Sequence, residues 1–300
     1  MYHTVTDFPP LHVKHLYPVK NKKEFINDLG FFLKYYKPIS AAELIKINRQ
    51  DKAFGNYFHL SFDDGFSECY DIIAPVLLEK GIPATFFLNP AFIDNKALFY
   101  KCIISLITDK LINKQITSNQ VKRINEMTGT QNLSKIIAKF GYEEKNNLDK
   151  IAEILEIDIN EYLVTQKPYL TNGQIKSLIS KGFTVGAHSY DHPRYYKLTL
   201  NEQVKQTRES LNWIVNSFGV GYKLFAFPFT DYKVTGEFFN SVKQDVDLSF
   251  GTAGLKKDPV KANLQRLPME SGLCGRDTVY TEYFYYLLKA VIGKNKIIRN

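Results

Sequence analysis

Apolar and polar positions along this chain change period repeatedly, and the changes predict strands alternating with helices. His3 to Val5 reads as a first short strand. From Asn21 to Tyr36, the residues Phe25, Leu29, Phe32, Leu33 and Tyr36 share one helical face. Ser40 and Glu43 have capping-box spacing and open a short helix. His59 to Phe62 predicts a strand, Ser67 to Lys80 a helix stopped by Gly81, and Ala84 to Leu88 a further strand. Thr171 with Gln174 caps a helix ending near Gly182, and Phe183 to Ala187 follows as a strand. Thr199 with Glu202 caps a helix to about Phe218, before a strand at Leu224 to Phe229. Gly236 to Asp245 reads as helical, with short strands at Leu248 to Phe250 and Leu264 to Leu267. Such βα repetition predicts an α/β barrel or open parallel sheet, with ligands at the carboxyl ends of the strands.

Residues 95–168 interrupt this rhythm. They are rich in Lys, Asn, Ile, Leu and Gln, and Ile103, Ile104, Ile107 and Leu111 repeat at helical spacing. They form an expected helical insertion between two strands, either beside the active-site mouth or as a bundle elsewhere on the surface. The expected division is a main domain of residues 1–94 and 169–275, the insertion 95–168, and a C-terminal helix with a basic tail, 276–300. Val279 to Ile292 is dense in Tyr, Phe and Leu, with Lys294, Lys296 and Arg299 after it. This segment either packs on the domain or makes peripheral contact with an anionic membrane. Apolar residues that nearly encircle the helix favour packing.

Composition narrows the class. The 300 residues are 44% hydrophobic and 23% charged, ordinary for a globular chain, and the three cysteines suggest no disulfide framework. The net charge of +8 is spread through helix-like segments without a nucleic-acid motif, so a nucleic-acid partner is not expected. No obligate protein partner is visible. Neither a leader peptide nor a membrane span is visible, which points to a cytoplasmic protein, peripheral to the membrane at most.

Two segments carry chemistry. The strand-like run before Asp63-Asp64-Gly65 delivers adjacent carboxylates to a strand end, where they repel unless a cation or proton separates their roles. The run ending at Ala187 opens into His188-Ser189-Tyr190-Asp191-His192. One carboxylate and two imidazoles make a metal set with open positions, and the second carboxylate is free to act as a base. The bland readings are an Asx-stabilised turn for the acidic pair and a helix-face pair for the histidines. Pro193 directly after His192 favours a turn over a long helix there.

Ser61-Phe62-Asp63-Asp64-Gly65 together with His188 and His192 closely resembles the polysaccharide deacetylases, the carbohydrate esterase family 4 or NodB-homology superfamily. Gly81-Ile82-Pro83-Ala84-Thr85-Phe86-Phe87-Leu88 and Phe225-Ala226-Phe227-Pro228-Phe229 extend the resemblance. It implies an irregular (β/α) barrel in which Asp64, His188 and His192 hold a divalent metal and Asp63 is the base. Zinc is expected first, with Ni2+, Co2+, Mn2+ or Fe2+ as alternatives. It also implies an oxyanion contact from the backbone N–H of Phe229. Many relatives carry Arg and Tyr in this last motif, where Ala226 and Phe229 stand here. Arg266 is the candidate to replace that arginine.

The family's usual late histidine is absent after His192. Tyr2-His3 is similar to the N-terminal motif of the family's circularly permuted branch, which implies His3 as the general acid. His12, His15 and His59 have no such context. Tyr190 and Asp231 are candidate sugar contacts, one by stacking and one by bonding a hydroxyl. The expected activity is metal-dependent removal of acetyl groups, N-acetyl before O-acetyl, from an acetylated saccharide or glycoconjugate. The rival is a non-catalytic glycan-binding descendant of the same fold; a non-haem iron oxygenase would leave the second carboxylate unexplained.

Overall fold

A computed structural model describes residues 1–50, 55–129 and 140–299. Strands β1 (Lys37–Pro38) and β2 (Tyr57–Phe58) form a small parallel pair. The main sheet has six parallel strands in chain order: β3 (Leu60–Phe62), β4 (Ala84–Leu88), β5 (Thr184–Ala187), β6 (Leu224–Ala226), β7 (Leu248–Gly251) and β8 (Asn263–Gln265). Every residue of β4 is buried, as expected of a parallel strand covered on both faces. Alternation along the strands separates two cores. Phe62, Phe86, Val185 and Phe225 pack with the surrounding helices, whereas Phe87, Leu224, Leu248 and Phe250 meet Ile39, Ala41 and Leu44 on the other face.

The sheet curls until its edge strands approach each other, and the N-terminal residues fill the remaining gap. The Tyr2 N–H donates to the Ser61 carbonyl at 3.0 Å and the Asp63 N–H donates to the Tyr2 carbonyl at 3.0 Å. On the other side the Met269 N–H donates to the Met1 carbonyl at 3.0 Å. His3 to Val5 therefore does not extend as a regular strand: Tyr2 and Val5 make isolated bridges, to Phe62 and Lys20. Tyr2 itself is buried between Phe25 and Phe62.

The helices begin where their caps dictate. Capping boxes at Ser40/Glu43, Thr171/Gln174 and Thr199/Glu202 open the helices Ala41–Arg49, Asn172–Ser180 and Leu200–Phe218. Each such cap is worth about 1 kcal/mol. Several boundaries differ from the sequence reading, and the helix expected over Gly236 to Asp245 ends at Ser241. The helix after Ser67 starts as a π-helical turn, Cys69–Ile73, before the α-helix Ala74–Glu79. β6 ends at Ala226, because Pro228 lacks an N–H for the ladder and Phe229 turns back with φ 58°. β8 covers Asn263–Gln265, so Arg266 lies just past its end.

Between β4 and β5 stand the helices Tyr100–Ile112, Ser118–Thr128, Lys145–Ile154 and Ile159–Gln166. Their core of Ile103, Ile107, Ile124, Leu148 and Ile151 is continuous with Phe66 and Phe92, just past the ends of β3 and β4, and with Tyr169, which bridges Phe66. The helix Gly275–Val291 packs its first turn on the helix Lys22–Tyr35. Among the described residues no helix is long and apolar enough to cross a membrane.

Gly186 marks a tight approach within the sheet. A Cβ there would lie 2.6 Å from the Phe87 ring and 2.9 Å from the Leu224 carbonyl. Gly186→Ala is expected to lower the unfolding free energy by about 1–3 kcal/mol, measured by urea denaturation. An unchanged midpoint would mean that the sheet relaxes freely at this point.

Candidate active site

β3 carries Ser61 and Asp63 on the inner face of the curl, opposite Phe62. The next residue breaks the alternation. Asp64 adopts φ 71° and Gly65 φ 67°, so the chain turns sharply and the second carboxylate leaves in another direction. A side chain at Gly65 would press on Leu88, whose Cδ2 lies 2.9 Å from the Cβ position.

Arg266 grips Asp63 with both forks. Its Nη1 donates to Oδ1 at 2.6 Å and its Nη2 to Oδ2 at 2.8 Å, while Nη1 also reaches the Ser61 hydroxyl at 3.1 Å. Both side chains are almost wholly buried. Burial alone would raise the Asp63 pKa, but the Arg266 guanidinium and the nearby His188 overcome it and hold the group below the usual carboxylate range. Asp63 is therefore an ionised carboxylate.

Asp64, His188 and His192 converge from two strand ends. Their ligand atoms all lie within 4.8 Å of one another, and all three residues are buried. Asp64 Oδ1 stands 3.5 Å from His188 Nε2 and 3.1 Å from His192 Nε2. His188 Nδ1 lies 2.8 Å from the Ala226 carbonyl, which fixes its proton on Nδ1 and turns the Nε2 lone pair inward. Burial pushes the His188 pKa down to about 4, so the ring is neutral. Asp64 Oδ1 is buried and has no hydrogen-bond donor among the described residues. A buried carboxylate oxygen beside the His188 lone pair and His192 Nε2 is a donor set that fits a divalent cation such as zinc or a neighbouring first-row ion.

His3 enters beside Asp63, because the residue before it pairs with β3. Its Nδ1 lies 2.5 Å from Glu270 Oε2, and Glu270 Oε1 accepts from the backbone N–H groups of His3 and Thr4 at 2.8 and 3.2 Å. Burial opposes the charged imidazole, but Glu270, with Asp64 and Asp63 behind it, raises the His3 pKa to about 9. The ring stacks on Tyr17 with centroids 4.8 Å apart. Glu270 was not a sequence candidate. Only the meeting of the N-terminal residues with the segment after β8 makes it a partner of His3.

The other candidates separate. Phe229 stands against His192, with ring centroids 4.6 Å apart, and its carbonyl accepts from the Thr252 hydroxyl at 2.9 Å. The Thr230 N–H folds back to the Pro228 carbonyl at 2.6 Å, giving a tight turn centred on Phe229. No acceptor for the Phe229 N–H occurs among the described residues. Tyr190 is half-exposed beside a cavity of about 550 Å³ that also touches Tyr100, Lys145 and Asp191. Asp231 is placed differently from the sugar-contact expectation. Its carboxylate is buried among Arg299, Asn263 at 2.9 Å and Gln265 at 2.7 Å, which leaves it a structural role. His59 bridges the Ile39 carbonyl and the Thr85 hydroxyl, His15 meets Asp109, and His12 meets Tyr162.

The segment between β4 and β5 reaches the site directly. Phe99 packs on His192 with ring centroids 4.3 Å apart. Asp191, between the two histidines, accepts from the Tyr142 hydroxyl at 2.6 Å, Lys145 at 2.9 Å and Gln206 at 2.9 Å.

Comparison with known proteins follows this geometry. The family model described as Polysaccharide deacetylase matches residues 51–239. Among solved structures, the Streptococcus pyogenes deacetylase PplD, in complex with acetate, superposes with TM-score 0.59 at 13% identity, over 94% of this chain and 96% of that one. IcaB from Ammonifex degensii gives 0.57 at 13% identity, over 94% and 95% of the two chains. A de-N-acetylase from Aggregatibacter actinomycetemcomitans gives 0.56 at 15% identity, over 94% and 97%. At such identities the structural likeness establishes a shared fold. No curated protein matches the sequence.

Removing Arg266 leaves Asp63 as an uncompensated buried charge, so Arg266→Ala is expected to cost about 3–5 kcal/mol of stability in chemical denaturation. The pH dependence has a definite sign. The folded-state pKa of Asp63 lies below its ordinary value of 3.8, so the pair's contribution is present above that pH and fades on acidification through the lower one. A variant as stable as the wild type at neutral pH would show that water screens the pair.

Proposed function

Because this chain belongs to the polysaccharide deacetylase family and is a carbohydrate deacetylase, we propose that it removes N-acetyl groups from an amino-sugar-containing saccharide with a divalent metal at Asp64, His188 and His192. The observation carrying this reading is the division of two adjacent buried carboxylates, one on an arginine and one facing two inward imidazole nitrogens.

A cation held by the triad would polarise the acetyl carbonyl and acidify the attacking water. Asp63, kept ionised by Arg266, stands 3.7 Å from His188 Nε2 through Oδ2 and is placed to take the proton from that water. The Phe229 N–H would donate to the developing oxyanion. His3 supplies the proton that the departing nitrogen needs. An amine leaves a tetrahedral centre only when protonated, and an imidazolium with a pKa near 9 is charged and ready at neutral pH. This requirement favours N-acetyl over O-acetyl substrates. Tyr190, with the cavity beside it, would meet neighbouring sugar units. Asp63 argues against a purely glycan-binding role, since binding alone requires no base beside the ligand set.

The test is acetate release from N-acetylated and O-acetylated saccharides by protein loaded with zinc, cobalt, nickel or manganese, compared with chelated protein. Asp63→Asn is expected to lower kcat by about two to four orders of magnitude with metal still bound. Unaltered turnover in that variant would sink the base assignment. Activity should fall as pH rises through about 9, where His3 loses its proton. Glu270→Gln should move that alkaline limb to lower pH, because it removes the carboxylate that raises His3. A limb that does not move would remove His3 from the acid role.

A further inference from the structure

The helix Gly275–Val291 buries Gly275, Thr278 and Val279 near its start and leaves many apolar side chains in solvent. Its inner face mixes contacts: Val279 joins the main core, Thr278 meets the Ser271 hydroxyl at 2.9 Å, and the Tyr286 hydroxyl donates to the Ala253 carbonyl at 2.9 Å. Its outer face carries Tyr280, Tyr283, Phe284, Leu287 and Val291, which follow the i, i+3, i+4, i+7 spacing of one apolar stripe. These are 53, 50, 66, 65 and 83% exposed, and Leu288 and Ile292 flank them at 56 and 62%. The apolar residues that seem to encircle the helix in sequence thus resolve into a few that pack and a full stripe that faces out.

A contiguous stripe of this kind marks an interaction surface. It continues beyond one helix. Phe31 lies 6.0 Å from Tyr280 between ring centroids, and Tyr283 with Leu255 and Tyr57 borders an apolar crevice of about 350 Å³. Charge then selects the occupant. Lys294 and Lys296, just past the stripe, are exposed, and Lys289 lies over the Tyr285 ring at 5.0 Å. The acidic residues of the same helix are spoken for or turned in. Asp277 pairs with Arg276, and Glu282 is half-buried. Tyrosine and lysine around an apolar stripe suit the headgroup boundary of a bilayer, where aromatic rings and ammonium groups sit above the acyl chains.

We propose that this outward face docks the protein on an anionic lipid bilayer, with the stripe from Tyr280 to Val291 inserted at the headgroup boundary and Lys289, Lys294 and Lys296 against lipid phosphates. The docking element is fastened to the catalytic half of the barrel. Tyr286 holds the loop after β7, and Arg299 is paired with Asp231 in the loop after β6. The proposal does not depend on the deacetylase reading, and an inactive enzyme would leave it intact.

Flotation of the full chain with phosphatidylcholine vesicles, with and without phosphatidylglycerol, tests it. The protein should float with the anionic vesicles, less so at high salt. Phe284→Asp combined with Leu287→Asp should reduce partitioning by about tenfold or more, with the thermal unfolding midpoint unchanged because both side chains are already in solvent. Lys294→Glu with Lys296→Glu, which leaves the stripe intact, should weaken binding only to the anionic vesicles. The proposal is overturned by absence of flotation, or by flotation that the double Asp variant retains. It is equally overturned by a wild-type dimer in sedimentation velocity that this variant abolishes without any vesicle binding, which would assign the face to a second copy of the chain.

Discussion

Two carboxylates one residue apart and both buried repel each other strongly, because low dielectric leaves little to screen them. This fold separates them in direction and gives each its own surroundings. Asp63 continues the strand and meets Arg266; Asp64 turns with φ 71° and faces the histidines. The first of these contacts dictates the architecture. Asp63 follows β3, one edge of the six-stranded sheet, and Arg266 follows β8, the other edge. A flat sheet would hold these groups several strands apart, so the bidentate pair requires the curl. Residues 1–2 then bond to both sides of the seam.

The same geometry concentrates backbone strain. Asp64, Ser189, His192 and Phe229 all have positive φ without being glycine, each at a cost of about 1–3 kcal/mol. Hydrogen bonds hold the strained carbonyls and amides in place. Asn89 donates to the carbonyls of His188 and Ser189, the Ser189 hydroxyl accepts from the His192 N–H at 3.1 Å, and Thr252 holds Phe229. Phe99 packs on His192 from the far side. The helices between β4 and β5 thus buttress the site as well as border it, and their tie to Asp191 through Tyr142 and Lys145 fixes the loop between the two histidines.

Local patterns made much of this legible. Capping boxes gave the helix starts, apolar runs gave the strands, and the pairing of Asp63-Asp64 with His188 and His192 gave a cluster that the fold brings together. Arg266 was legible as a candidate because its strand order was, although its grip on Asp63 depends on a curl that no local pattern encodes. Glu270 was illegible for the same reason: its partner His3 is at the other end of the chain. Asp231 sits two residues past Phe229 and reads as a sugar contact, yet Arg299, Asn263 and Gln265 reach it from distant segments. The outward stripe of the C-terminal helix was hidden by apolar residues on several faces. The side that packs carries Val279 into the core and is tied by the polar groups of Ser271 and Ala253.

The stretch from Arg266 to Glu270 joins these observations. Arg266 lowers the pKa of Asp63, and Glu270 raises that of His3. Acid–base catalysis at one pH requires two groups whose environments push their pKa values apart. Here both counterions come from one short run of chain, and both targets lie where Tyr2 pairs with β3. A shift of this run along the seam would move a cation from one group and an anion from the other together. The protonation states of Asp63 and His3 are therefore linked through a single backbone register, and the hydrogen bond from Met269 to Met1 lies within that register, between the two counterions.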